Sequence, residues 1–108
     1  MTFLALLLAL HFGLVTPYAP GVAERVAERR VSWGQITQPA PGLCLAALND
    51  DRIGEYVLVL HGRGATWCYV VDCAAPSDAI ERKTHSLILE VDAQTYRRIG
   101  GGRVAVWE

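Results

Sequence analysis

The stretch E-Y-V-L-V-L-H-G-R-G-A-T-W-C-Y-V-V-D-C, residues 55–73, decides the fold. Within it Tyr56, Leu58 and Leu60 alternate with Val57, Val59 and His61, the period-2 pattern of a strand with two unlike faces. Gly62-Arg63-Gly64 reads as a turn, and the apolar run 67–71 behind it reads as a second strand, so a β-hairpin is predicted. That second run ends on a carboxylate, Asp72, followed directly by Cys73. A charged residue at such a place is paired or functional far more often than idle. Alternation places Cys68, Val70 and Asp72 on one face and Trp67, Tyr69, Val71 and Cys73 on the other. Asp72 is therefore a candidate catalytic residue. It is equally a candidate acceptor for the backbone N–H groups of the turn 74–77 that follows.

Outward from the hairpin, the chain reads as strands and turns with two short helices. Val22, Ala23, Val26, Ala27 and Arg30 recur at helical spacing after Pro20-Gly21, predicting an amphipathic helix over 21–31. Residues 38–42 (Q-P-A-P-G) are a loop, 44–48 a short apolar strand, and 49–52 (N-D-D-R) a polar turn. Residues 86–91 form another strand. Asp92 then caps a helix running to Ile99, and the triplet Gly100-Gly101-Gly102 ends it. Residues 103–107 supply the last strand, and 14–18 one more near the start. Six strands and two helices in 108 residues define a mainly β fold, a small six-stranded barrel. Trp67 and Trp107 lie in strands and read as core, whereas Trp33 lies in a loop and is the better candidate for a ligand face.

The length allows one domain with a modest core. A formal net charge of −1 carries no basic excess, so no nucleic-acid partner is expected. No low-complexity segment or internal repeat is present, and no cofactor-binding pattern: the glycine triplet precedes no helix and lacks phosphate-loop spacing.

Residues 3–10 (F-L-A-L-L-L-A-L), extended to Val15, have the length of a signal-peptide core and are too short to span a bilayer. No Lys or Arg precedes Arg25 and no clean cleavage motif follows, so a buried first element is the competing reading. The leader reading, a signal peptide or short membrane anchor over 1–13 before a domain over 14–108, implies export, with any membrane contact confined to that segment. Three cysteines fit an oxidising compartment, where two pair and one is left over. Strand-face geometry favours Cys44 with Cys73, leaving Cys68 as a small buried hydrophobe; closing a loop of about 30 residues would contribute roughly 3–4 kcal/mol. The cysteines and the three histidines lack zinc-site spacing, so no metal is expected.

Three segments resemble a known family. Residues 46–54 (A-A-L-N-D-D-R-I-G) are similar in spacing to an Ala-Ala-His … Phe-Gly-Thr stretch. Val70-Val71-Asp72 is similar to a strand ending in Asp-Arg-Gly-Pro, and Glu90-Val91-Asp92 with Ile99-Gly100 to Asp-Leu-Ser before a helix ending Leu-Gly. Tyr18-Ala19-Pro20-Gly21 is a fainter match to an opening tyrosine-containing strand. Together, over about residues 44–107, they resemble the double-psi β-barrel of the rare lipoprotein A, expansin and barwin type. The resemblance implies an exported, cell-wall-associated domain that binds peptidoglycan or another polysaccharide, with Trp33, Tyr18 and Glu90 as binding residues. An enzymatic member would be lytic-transglycosylase-like, with Asp72 as its acid. Two departures weaken that activity: Leu48 stands where the family has a histidine, and Cys73-Ala74-Ala75 where it has Arg-Gly-Pro. Glycan cleavage needs a general acid and usually a second group opposite it; Glu90 and Asp78 are the available second carboxylates, and nothing in the sequence places either near Asp72. The alternative is a non-catalytic structural or protein-interaction module on the same scaffold.

Overall fold

Each strand turns alternate residues inward, and the inward set is almost entirely aliphatic. The computed structural model describes residues 10–108. Strand β1 (Leu10–Pro17) leads to helix α1 (Val22–Ser32), then to strands β2 (Cys44–Leu48), β3 (Tyr56–His61) and β4 (Gly64–Cys73). Helix α2 (Pro76–Thr84), strand β5 (Leu87–Val91), helix α3 (Ala93–Ile99) and strand β6 (Arg103–Trp107) complete the chain. The six strands close into a barrel in the order β1-β5-β2-β4-β3-β6. The β1–β5 and β2–β4 contacts are parallel and the other four antiparallel. Val57, Val59, Val70, Leu89, Val91 and Val106 fill the interior. A second cluster lies outside, where Ala23 and Ala27 of α1 pack on Leu45, Tyr69 and Val71. Closure removes the free sheet edges that a six-stranded open sheet would expose.

The hairpin forms as expected, with His61 opposite Gly64 across a Gly62-Arg63 turn. Helices α1 and α3 and the strands at 44–48 and 103–107 fall where the sequence places them. β1 starts earlier than expected and takes in residues 10–13, which the leader reading covers; residues 1–9 lie outside those described. Gly13 explains how β1 lies so close to β5: a Cβ there would sit 2.6 Å from the Ser86 carbonyl oxygen and 2.7 Å from Ile88 Cγ2.

Three corrections follow from packing. Helix α2 has no forerunner in the sequence reading: it is nine residues long, its apolar residues are confined to Pro76, Ala79 and Ile80, and it buries none of them. It is held instead by Arg82, whose Nε donates to Asn49 Oδ1 at 3.0 Å. The disulfide joins Cys44 to Cys68, and Cys73 is the free thiol, the reverse of the expected Cys44–Cys73 bond. Cys44 and Cys68 are register partners on the parallel β2–β4 ladder, both pointing into the barrel, with Cα atoms 4.5 Å apart. The third correction concerns Trp67, expected in the core: it points outward and is 56% exposed.

Alkylation of the folded, non-reduced protein should block Cys73 alone, and peptide mapping should join residues 44 and 68. Cys44→Ala/Cys68→Ala should then lower stability by about 3–4 kcal/mol in the chain-entropy account. A mapped bond to Cys73 would refute this arrangement.

Candidate functional site

A β-bulge sets the position of Asp72. The β2–β4 register runs Ala46 with Val70 and then Ala47 with Asp72, so Val71 is skipped. Strict alternation would carry Asp72 inward beside Cys68 and Val70. The extra residue turns it to the outer side, the same side as Val71. There Asp72 Oδ2 accepts from the Tyr18 hydroxyl at 2.9 Å, and Oδ1 accepts from Arg30 Nη2 at 2.8 Å. Arg30 also donates through Nη1 to Gln35 Oε1 at 2.8 Å. One carboxylate thus ties β4 to α1 and to the segment after β1. The expected bonds to the turn 74–77 are not among the hydrogen bonds of the described residues; Arg30 and Tyr18 take their place.

Beside this tie lies a cleft of about 430 Å³, lined by Tyr18, Leu48, Asp72, Cys73, Arg82 and Glu90 among others. Three of the four site residues expected from sequence, Tyr18, Asp72 and Glu90, therefore meet. Trp33 does not line this cleft. It is 60% exposed at the end of α1, with the Arg30 guanidinium 5.8 Å from its ring centroid. Arg82 was missed because its helix was missed. Asp78 and Glu81 also line the cleft, so carboxylates outnumber cations in it.

Burial pushes the Tyr18 hydroxyl far above its ordinary value, and the Asp72 charge and hydrogen bond add to that, so Tyr18 stays a proton donor. Burial likewise raises the Glu90 carboxyl, with Asp72 adding and Arg82 opposing. The Cys73 thiol is raised by burial and by the charges of Asp51 and Asp72, which makes it a poor nucleophile.

Two outcomes are expected here. Asp72→Ala strands two donors and should cost about 1.5–3 kcal/mol in a thermal melt, while Asp72→Asn, which keeps one acceptor oxygen, should cost less. An unchanged melting temperature in Asp72→Ala would sink the structural role. For Glu90 the sign is opposite to that of a salt-bridged acid. A raised folded value means that its contribution is full below the ordinary glutamate range and fades as pH rises through the folded value. Glu90→Gln should therefore be more stable than the parent at pH 7 and close to it near pH 4. A variant less stable at both pH values would contradict this.

A second feature lies at one end of the barrel. Arg63 in the β3–β4 turn, Arg97 and Arg98 in the last turn of α3, and Arg103 at the start of β6 are all exposed. Arg63 Nη1 donates to the Arg98 carbonyl at 3.1 Å and to the Arg97 carbonyl at 3.5 Å, capping α3 and fixing the turn against the helix end. Arg103 lies opposite Leu14, one step past the β3–β6 pairing of Leu60 with Ala105. None of the four is in an ion pair among the described residues. Their field reaches His61, which is pushed below its ordinary value by burial and then by Arg63 and Arg98. The contacts of Glu108 with His11 and Arg52 involve none of these arginines. Among the described residues no group of His, Cys, Asp and Glu forms a metal site, and no helix is long and apolar enough to cross a membrane.

The chain matches no family model. It is 27% identical over 85 residues, 79% of this chain, to the large ribosomal subunit protein uL18 of Thermoplasma volcanium. The match takes in 47% of that protein, so the chain spans about half the length of its curated relative. This finding overturns the expectation of an exported, cell-wall or polysaccharide-associated domain without a nucleic-acid partner, since the relative is a ribosomal protein. Trp33, the expected sugar-stacking face, is outside the cleft, and both oxygens of Asp72 are already engaged.

Proposed function

We propose that this barrel is an RNA-contacting domain that sets its arginine rim against a phosphodiester backbone. The observation that carries the reading is the gathering of Arg63, Arg97, Arg98 and Arg103, without ionic partners among the described residues, at one end of a molecule whose formal charge is −1. Such segregation orients an approach to a polyanion even when net charge does not favour it. Guanidinium groups suit phosphate because they present paired donors in a plane. The similarity to a large-subunit ribosomal protein supports the same partner class. The acidic cleft around Asp72 and Glu90 would repel phosphate, which favours the arginine rim as the contact. Within the barrel class we assign the double-psi subtype, supported by the parallel β1–β5 and β2–β4 pairings in a closed six-stranded barrel.

Fluorescence anisotropy with a labelled single-stranded 12-nucleotide RNA tests the reading. Four neutralised phosphates give a slope of log K on log salt near about −3, or roughly a 50-fold loss between 50 and 200 mM. Arg103→Ala should make that slope shallower by about 0.7. Absence of binding at 50 mM salt, or binding indifferent to salt, would overturn the proposal.

A further inference from the structure

The outer face of β6 and β3, continuing onto β1 and β4, carries apolar side chains that remain open to solvent, among them Phe12, Leu60 and Trp67. Helix α1 packs on β2 and β4, α2 on β5 and α3 on β1. Trp107 is paired with both Leu10 and Leu58, and Leu58 with Trp67, which makes one continuous apolar row across four strands. The next row runs Phe12, Ala105, Leu60, Ala65. Phe12 is 68% exposed, and Tyr56, further along β3, is 55% exposed and stacked on Tyr69 at 4.7 Å. Outward positions of an antiparallel sheet facing water are ordinarily polar. Here neither row holds a charged residue, and contiguous exposed apolar surface of this kind marks an interaction site.

What the face fits follows from what borders it. One step beyond the Phe12 row, about 6–7 Å along the strand, stands Arg103, and Arg63 sits in the adjoining turn. An uncharged aromatic floor thus runs into a basic rim without ionic partners among the described residues, and neither row holds a carboxylate to repel phosphate. Phe12, Trp107, Tyr56 and Trp67 stand on the four successive strands β1, β6, β3 and β4, each about 5 Å from the next, so the row of rings spans about 14 Å from first strand to last. Aromatic rings beside a cationic track are the arrangement that holds unpaired bases, because every base has a π-face. A duplex keeps its bases stacked inside and offers such a floor nothing.

We propose that this face is a stacking platform for the bases of a single-stranded RNA whose backbone lies along the arginine rim. The inference rests on the RNA-contacting reading above and adds to it the strandedness of the partner and the residues that hold its bases.

The test uses the full chain with an 8-nucleotide oligouridine, an 8-nucleotide oligoadenosine and an RNA duplex of equal length. Tryptophan quenching and anisotropy are followed together, and circular dichroism verifies the fold of each variant. Both single strands should quench the tryptophan emission and bind at least about tenfold more tightly than the duplex. Trp67→Ala and Phe12→Ala should each weaken single-strand binding about tenfold, and Trp67→Phe should retain most of it. Ile80→Ala, removing an apolar side chain 71% exposed on α2, should change nothing. If the single strands bind through the arginines while Trp67→Ala and Phe12→Ala are without effect, the platform is refuted and the rim reading stands. If these two variants weaken binding while Arg103→Ala does not, the rim reading fails and the platform stands. Equal affinity for the duplex refutes the platform. So does a concentration-dependent dimer in sedimentation that Trp67→Ala abolishes, which would assign the face to a second copy of the chain.

Discussion

Asp92→Ala should lower the melting temperature by about 12–24 °C. Asp92 is 5% exposed, one of two buried polar or charged residues among those described. Its Oδ2 accepts from the Thr95 backbone N–H at 3.0 Å, capping α3, and its Oδ1 accepts from the Leu45 N–H at 3.0 Å. The Asp92 N–H in turn donates to the Leu45 carbonyl at 3.1 Å. One side chain therefore starts a helix and joins it to β2. Its removal leaves two interior donors unpaired and a helix uncapped, about 3 kcal/mol in all. In a domain of this size each kcal/mol moves the melting temperature by about 4–8 °C. Asp92→Asn keeps one acceptor oxygen and should lose about half as much. Equal melting temperatures for parent and Asp92→Ala, by calorimetry, would mean that the cap and the strand contact are dispensable.

The largest expected effect on function comes from reversing charge at the rim. Arg97→Glu/Arg98→Glu/Arg103→Glu changes the formal charge from −1 to −7, two units for each of three substitutions. Arg63 is spared because its guanidinium caps α3, so its loss would mix folding with binding. All three substituted side chains are exposed and without an ion pair among the described residues, so stability should move little. Three lost phosphate contacts, replaced by repulsion, should weaken single-stranded RNA binding by at least about 100-fold at 100 mM salt. A triple variant that binds like the parent would remove the arginines from the interface.

The parts of the fold that were legible in the sequence are those with local signals. Alternation at 56–61 gave the hairpin, and Asp92 followed by the glycine triplet bounded α3 to the residue. Helix α2 carried only a short signal, Pro76, Ala79 and Ile80 within nine residues, too brief to stand out beside the longer pattern at 22–32. The bulge between Ala46 and Ala47 is also silent in sequence, yet it decides which way Asp72 points. The cysteine pairing turned on register: Cys68 faces Cys44 across a parallel ladder, and nothing in either strand alone states that alignment. Tyr18, Asp72 and Glu90 line one cleft, a proximity that nothing in the sequence placed, and the rim was equally invisible. Its arginines lie at 63, 97, 98 and 103 and converge only when the barrel closes, so an overall charge of −1 concealed them. Trp67 misled because a tryptophan in a strand is ordinarily a core residue, and here its face of the barrel is uncovered.

Photocrosslinking to a single-stranded RNA carrying 4-thiouridine, with the adducts mapped by mass spectrometry, tests the account most directly because it reports where the nucleic acid lies. Adducts on Phe12, Tyr56, Trp67 and Trp107, with the flanking Arg63 and Arg103 peptides protected from proteolysis, are the predicted result. Adducts confined to residues 72–90 around the acidic cleft, or no adducts at 50 mM salt, would contradict it.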